Sequence, residues 1–129
     1  MYKIIERKIF PVENGSVKRG LRSSDKSFEG FGELYFTEIK KNKVKGWKRH
    51  TKMTLNLLPV IGVIVLYIKR NLLDTPDEVK FGSDDYKLVC IEPNVWFAFK
   101  GIADFNIMAN LASIEHDPNE VENAPYSED

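Results

Sequence analysis

Residues 44–69 read VKGWKRHTKMTLNLLPVIGVIVLYIK. The second half of this stretch decides the fold. Leu55 to Ile68 is the longest apolar run in the chain and invites a membrane helix. It is too short for one, because a spanning helix needs about 20 apolar residues, and Asn56, Pro59 and Gly62 interrupt it. Two short β-branched runs flanking a turn at LPVIG read instead as two buried strands.

Outward from there the same pattern repeats. Helical periodicity is nearly absent, and runs of β-branched and aromatic residues alternate with turn residues. The expected strands are Lys3–Phe10, Gly32–Ile39, Val44–Arg49, Met53–Leu57, Gly62–Lys69, Lys87–Glu92, Val95–Lys100 and Phe105–Ala112. ENGS, KKNK, EPN and GIAD supply turns, and a longer loop runs from Asn71 to Asp85. Within it, TPDEVKF predicts one helical turn, with Thr75 as cap and Pro76 at the first position. GSVKRGLRSSDKSFEG predicts a polar loop leading into the sheet. Many short strands with close turns predict an all-β antiparallel sandwich or barrel.

With 129 residues the chain fits one domain. Lys and Arg number 19, as do Asp and Glu, so net charge favours neither a nucleic acid nor an acidic membrane surface. The N-terminus, MYKIIERKIFPVENG, has no apolar signal-peptide core. The single cysteine, Cys90, lies in the apolar run YKLVCIEP and reads as a buried thiol. Together these predict a cytoplasmic protein without disulfides. The tail EHDPNEVENAPYSED, residues 115–129, is acidic and reads as a solvated or frayed end. Its sign complements the basic stretch from Lys40 to Lys52, and the two are expected to lie against one another.

The first half of the opening stretch carries the chemistry. In a strand, alternate side chains share a face. Lys48 and His50 then share one face, and Trp47 and Arg49 the other. A Lys48 face turned into a pocket would hold a phosphate or stabilise an oxyanion. Lys40, Lys41 and Lys43 read as an exposed turn guarding a strand edge. Glu33 alternates with apolar neighbours in FGELYF and faces either a polar cavity or solvent. The aromatics of PNVWFAFK read as core, or as a wall for a base or sugar. The only histidines are His50 and His116. Lys48 occupies the place where a second histidine would complete a strand metal pair, so no metal is expected. His116 reads as a local cap or pair at a barrel rim.

In this order, FEGFGELYF, VKGWKRH, LLPVIGVIVLYIKR, IEPNVWFAF and NLASIEHDPNEVE resemble the dTDP-4-dehydrorhamnose 3,5-epimerase family and its short cupin relatives, including the sugar 3,4-ketoisomerases. The resemblance covers most of the chain from Phe28 onward. It implies a single cupin-type jelly-roll β-barrel over residues 1–129, with residues 1–27 as an N-terminal strand and loop exchanged between the subunits of a homodimer. It also implies an isomerase or epimerase acting by proton abstraction on a nucleotide-linked 4-keto-6-deoxy sugar, a dTDP-sugar, in surface polysaccharide or deoxysugar biosynthesis. In that family a histidine held by an aspartate removes a proton next to the keto group, a lysine stabilises the enolate and a tyrosine returns a proton on the other face, so the resemblance implies no metal and no organic cofactor.

Carried onto this chain, the match is uneven. Lys45 stands where the family has a phosphate-binding arginine, which keeps the charge and loses the bidentate fork. Glu33 matches the glutamate near the nucleotide. Lys48 stands at the base histidine, Phe97 at a second histidine and Asn110 at the acid tyrosine. Tyr126 and Ser127 fall near the end motif that carries the aspartate. His50 matches the second histidine of the ketoisomerase pair. The resulting candidate set is His50 as base with Lys48 or Lys52 as the cation, or Lys48 itself as base if burial or neighbouring cations depress its pKa, Asn110 at the acid position, and Glu33, Lys45, Lys52, Phe97 and Tyr126 at the substrate. Two other readings remain: a sugar-nucleotide or carbohydrate binding cupin without catalysis, and a partner- or nucleic-acid-binding barrel. An enzyme requires Lys48, His50 and Asn110 to converge in one barrel mouth; a nucleic-acid binder requires the lysines on an outer face.

Overall fold

In the run from Val63 to Lys69, Ile64, Leu66 and Ile68 are fully buried while the residues between them are half-buried. That alternation is the signature of a strand with one face on a core, and it recurs through the chain. A computed structural model describes residues 1–127. It contains twelve strands: β1 Tyr2–Glu6, β2 Ile9–Val12, β3 Gly15–Lys18, β4 Glu33–Glu38, β5 Val44–His50, β6 Leu55–Ile61, β7 Val63–Lys69, β8 Asp77–Gly82, β9 Lys87–Ile91, β10 Trp96–Gly101, β11 Ile107–Ala112 and β12 Val121–Asn123. Two five-stranded sheets, ordered β1-β9-β6-β11-β4 and β12-β5-β10-β7-β8, enclose the core, and β2-β3 forms a separate hairpin. Every pairing between these strands is antiparallel. This is the all-β jelly-roll architecture expected from the sequence. No helix among the described residues is long and apolar enough to cross a membrane.

The apolar run does form two strands and a turn, but the turn is tighter than expected. β6 continues through Pro59 to Ile61, so LPVIG is strand up to Gly62. Pro59 is tolerated because β9 pairs with β6 only at Leu55–Leu57, leaving no donor required at Pro59, and the β6-β11 ladder shifts register beside it. Gly62 turns the chain at φ 85°, where a Cβ would lie 2.0 Å from the Phe105 carbonyl oxygen.

Three expectations are corrected. TPDEVKF forms β8 rather than a helical turn, because pairing with β7 buries Val79 and Phe81 at alternate positions, and a buried period-two pattern outweighs a capping signal. Residues 15–18 of the polar loop form β3 against β2. The acidic tail is not frayed up to Ser127: a 3₁₀ turn at Pro118–Glu120 leads into β12, which pairs with β5. Tail and basic strand therefore meet as expected, with Arg49 on Glu122 at 2.7 Å.

The corner between β1 and β2 is held by charge. Arg7 donates to Asp25 at 2.8 Å and to the Gly20 carbonyl at 2.9 Å, and Arg22 also binds Asp25. Arg7 and Asp25 are 7% and 6% exposed, so neither has water to fall back on. The Arg7 hydrogen bond, helped by Arg22 and opposed by burial, lowers the Asp25 carboxyl from 3.8 to about 2. A depressed carboxylate stabilises the fold fully above its unfolded value and loses that contribution as pH falls toward the folded value. The expected result is that stability drops between pH 3.8 and about 2, and that Asp25→Ala removes this portion of the acid limb. At neutral pH the substitution costs on the order of 3 kcal/mol, because it strands a buried cation. Chemical denaturation across pH measures both.

Candidate active site

Alternation along β5 puts Lys48 and His50 on the inner face and sends Trp47 and Arg49 outward, where Arg49 lies over the Trp96 ring at 5.0 Å. Simple alternation would place Lys45 on the outer face as well. It faces inward because the β5-β10 register shifts: Phe97 pairs with Lys48 but Ala98 pairs with Gly46. Gly46 is required at this bulge. Its φ is 149°, and a Cβ there would lie 2.4 Å from the Ala98 Cβ.

These inner faces line one cavity of about 370 Å³ between the sheets. From β5 come Lys45, Lys48 and His50; from β10, Phe97 and Phe99; from β4, Glu33, Tyr35 and Thr37; from β11, Met108 and Asn110. Leu55 and Leu57 of β6, Val121 and His116 complete the wall. Lys48, His50 and Asn110 thus converge in one barrel mouth, together with Glu33, Lys45 and Phe97. Lys52 and Tyr126 do not line it. Lys52 is exposed, and it serves the site through its backbone N–H. Tyr126 packs against Trp47 and Tyr67 on the opposite face of the sheet. His116 is at the rim, as expected, where its backbone N–H donates to Glu33 at 2.9 Å.

Two groups at the centre were missed. The first is Glu120. Its carboxylate bonds His50 Nδ1 and also accepts from the backbone N–H groups of Lys52 at 3.0 Å and Met53 at 3.3 Å. The His50 and Glu120 side chains are 5% and 1% exposed. Burial pushes the Glu120 carboxyl up, but the bonds from His50, Lys52 and Met53 outweigh it and leave the group below its ordinary range. An ionised carboxylate only accepts, so Nδ1 carries a proton, and in the neutral ring Nε2 is the nitrogen with the lone pair. Phe97 stacks on the imidazole at 5.7 Å and 7°. The ring is therefore fixed in orientation by a carboxylate and an aromatic face.

The second missed group is Tyr35. Asn110 pairs directly with Tyr35 across β11 and β4, and its amide donates to the phenol oxygen at 2.7 Å. Burial holds the Tyr35 phenol above its ordinary value, with the Asn110 bond pulling the other way. The hydroxyl is thus protonated at neutral pH. Asn110 supports this phenol and has no acidic proton of its own to give. The sequence held the signal: Tyr35 is two residues from Glu33 and so shares its face. The site therefore places an imidazole on one sheet, a phenol on the facing sheet, and two lysines in the same cavity.

No protein-family profile matches the chain, and no curated protein matches it. Solved structures do. The crystal structure of a dTDP sugar isomerase from Desulfovibrio desulfuricans is 33% identical, superposes with a TM-score of 0.88, and the match covers 96% of this chain and 83% of that one. The chain belongs to the dTDP-sugar isomerase family. A sugar 3,4-ketoisomerase from Thermoanaerobacterium thermosaccharolyticum, in complex with TDP, is 18% identical with a TM-score of 0.82, covering 95% of this chain and 88% of that one. A dTDP-6-deoxy-D-glucose-3,5-epimerase from Legionella pneumophila, in complex with dTDP-4-keto-L-rhamnose, is 16% identical with a TM-score of 0.83, covering 97% of this chain and 73% of that one. At these identities the last two likenesses establish the shared barrel fold.

Proposed function

We propose that this protein is an isomerase or epimerase of a dTDP-linked 4-keto-6-deoxy sugar, acting by proton transfer at the carbon next to the keto group. Membership of the dTDP-sugar isomerase family gives the substrate class. The observation that carries the mechanism is the pairing of His50 with Glu120 across the cavity from Tyr35. His50 Nε2 takes the proton from the substrate carbon, and Glu120 stabilises the imidazolium that forms. Charge moves onto the keto oxygen, where the Lys48 ammonium stabilises the enolate. Tyr35 returns a proton from the facing sheet, and the Asn110 amide stabilises the phenolate left behind. Lys45 and Glu33, which line the same cavity, hold the nucleotide diphosphate and nucleoside.

This arrangement disfavours the other readings. A binding cupin needs no buried histidine–carboxylate pair and no phenol opposite it. A nucleic-acid surface needs its lysines outside, whereas Lys45 and Lys48 line the cavity.

A second copy of the chain is the proposed partner. The outer face of the first sheet exposes Leu34 and Phe36, 46% and 61% accessible, and the β2-β3 hairpin exposes Ile9, Phe10, Val12 and Val17. Apolar exposure of this extent fits an interface between copies. Light scattering on the wild type and on Phe36→Lys tests it; a dimer that becomes monomeric is expected. Within the chain β1 pairs with β9, and exchange of residues 1–27 between subunits is proposed as the form that dimer takes. A cytoplasmic place in deoxysugar or surface polysaccharide synthesis is the proposed setting.

The functional test is product formation. Incubation with dTDP-4-keto-6-deoxyglucose, followed by NMR, is expected to yield an isomeric keto sugar; an unchanged sugar would reject the reading. Within an active enzyme the two lysines should separate. Lys48→Met lowers kcat by about 10²-fold with KM little changed, as for loss of an oxyanion donor. Lys45→Met raises KM with kcat little changed, as for uniform binding.

A further inference from the structure

The carboxylate that orients His50 arrives on the last described segment of the chain, which is held locally by the Thr51 N–H and hydroxyl on the Glu120 carbonyl, by the Lys52 and Met53 N–H groups on its carboxylate and by the Arg49–Glu122 pair. β12 is three residues long, sits at the edge of its sheet and pairs only with β5, through Val121↔His50, Glu122↔Arg49 and Asn123↔Lys48. Glu122 and Asn123 are exposed. A ladder this short is marginal unless something else anchors it.

A further anchor, beyond these local bonds, lies on the other side of the sheet. Just beyond β12, Ala124 exchanges both backbone hydrogen bonds with Trp47, at 2.9 and 3.0 Å. Tyr126 then packs against Trp47, with ring centroids 6.0 Å apart, and against Tyr67 at 6.3 Å. Lys69 Nζ lies 4.1 Å from the Trp47 ring centre. Trp47 and Trp96 are each 5% exposed, so this outer cluster is a small second core. None of Trp47, Trp96, Tyr67 and Tyr126 lines the cavity. The position of the cluster explains why β5 alternates as it does: the residues at 48 and 50 face the cavity, and the tryptophan at 47 holds the strap that carries Glu120.

We propose that Tyr126 is a positioning residue for the His50–Glu120 pair, acting from the face of the sheet opposite the cavity. The inference rests on the proton-transfer reading above. Seating Tyr126 on Trp47 and Tyr67 fixes β12 along β5, and that fixes the Glu120 carboxylate at His50 Nδ1. Tyr126 does not line the cavity.

The test compares Tyr126→Ala, Tyr126→Leu and Tyr126→Phe. The Leu variant keeps apolar volume, so the question survives if the Ala variant fails to fold. Without substrate, the low-field proton NMR resonance of the His50 Nδ1–H is expected in the wild type and in Tyr126→Phe, and is expected to be lost or broadened in Tyr126→Leu and Tyr126→Ala. With substrate, kcat falls about 10-fold in Leu and Ala, the scale of losing an outer-shell support; KM stays near wild type and Phe restores the rate. In a Glu120→Gln background the same Tyr126 changes add no further loss. A merely structural role predicts lower thermal stability with the resonance and kcat unchanged, or effects that add fully to Glu120→Gln; either result overturns the proposal. A wild type that turns over no substrate would reject the functional reading, while the substrate-free resonance would still decide the positioning role.

Discussion

His50→Asn protein leaves the sugar ring protons of dTDP-4-keto-6-deoxyglucose unexchanged, while still binding the nucleotide. The expected fall in kcat is about 10³-fold or more, within the range for removing a general base. The reason is specific to this site. His50 is the cavity's buried imidazole, its Nδ1 committed to the Glu120 carboxylate and its Nε2 left for the substrate, whereas the other histidine of the wall, His116, is exposed at the rim. Lys45 and Lys48 also line the cavity, but an ammonium has no lone pair to accept a proton. Asparagine keeps a polar side chain of similar width against Phe97 and Glu120, so the fold should persist. Stopped turnover with retained circular dichroism and nucleotide binding is the expected pair of results. Full exchange in this variant would remove His50 as the base.

Tyr35→Phe gives a different outcome. Proton abstraction on the His50 wall continues, so deuterium from solvent still enters the carbon next to the keto group. Product falls by about 10²-fold, the scale of losing a positioned acid, because no proton is delivered from the facing sheet and the enolate is returned by the same imidazole. Exchange without product is what separates an acid from a binding residue: loss of a binding contact would lower both together. Asn110→Ala should show a weaker form of the same split. It removes the 2.7 Å bond that stabilises the phenolate but leaves the phenol in place.

These two residues show how far the sequence could be read. Period-two alternation was enough to find most of the strands, to turn Lys48 and His50 inward and to turn Trp47 and Arg49 outward. It fails wherever register is irregular. Lys45 reaches the Lys48 face only because of the bulge at Gly46. Asn110 was named for a position where a tyrosine was expected; the phenol is present one strand away, on Tyr35, and only the β4-β11 register reveals it. Glu120 was harder still. The charge complementarity between tail and basic strand was legible, yet nothing local marks which acid meets the histidine. The register Val121↔His50 makes that choice, and it is a pairing between residues far apart in the chain. Tyr126 was placed at the substrate by analogy with an end motif; the same register carries it past the strand edge to the outer face.

Solvent deuterium incorporation is the most direct test of the central claim that His50, Glu120 and Tyr35 form a proton-transfer site for a nucleotide-linked keto sugar. The wild-type protein is mixed with dTDP-4-keto-6-deoxyglucose in heavy water and the sugar is followed by NMR. The account predicts deuterium at C3, at C5 or at both, with the labelled positions distinguishing 3,4-isomerisation from 3,5-epimerisation. Nucleotide signals that shift or broaden while every sugar carbon keeps its proton would contradict it, and would make this barrel a binding protein.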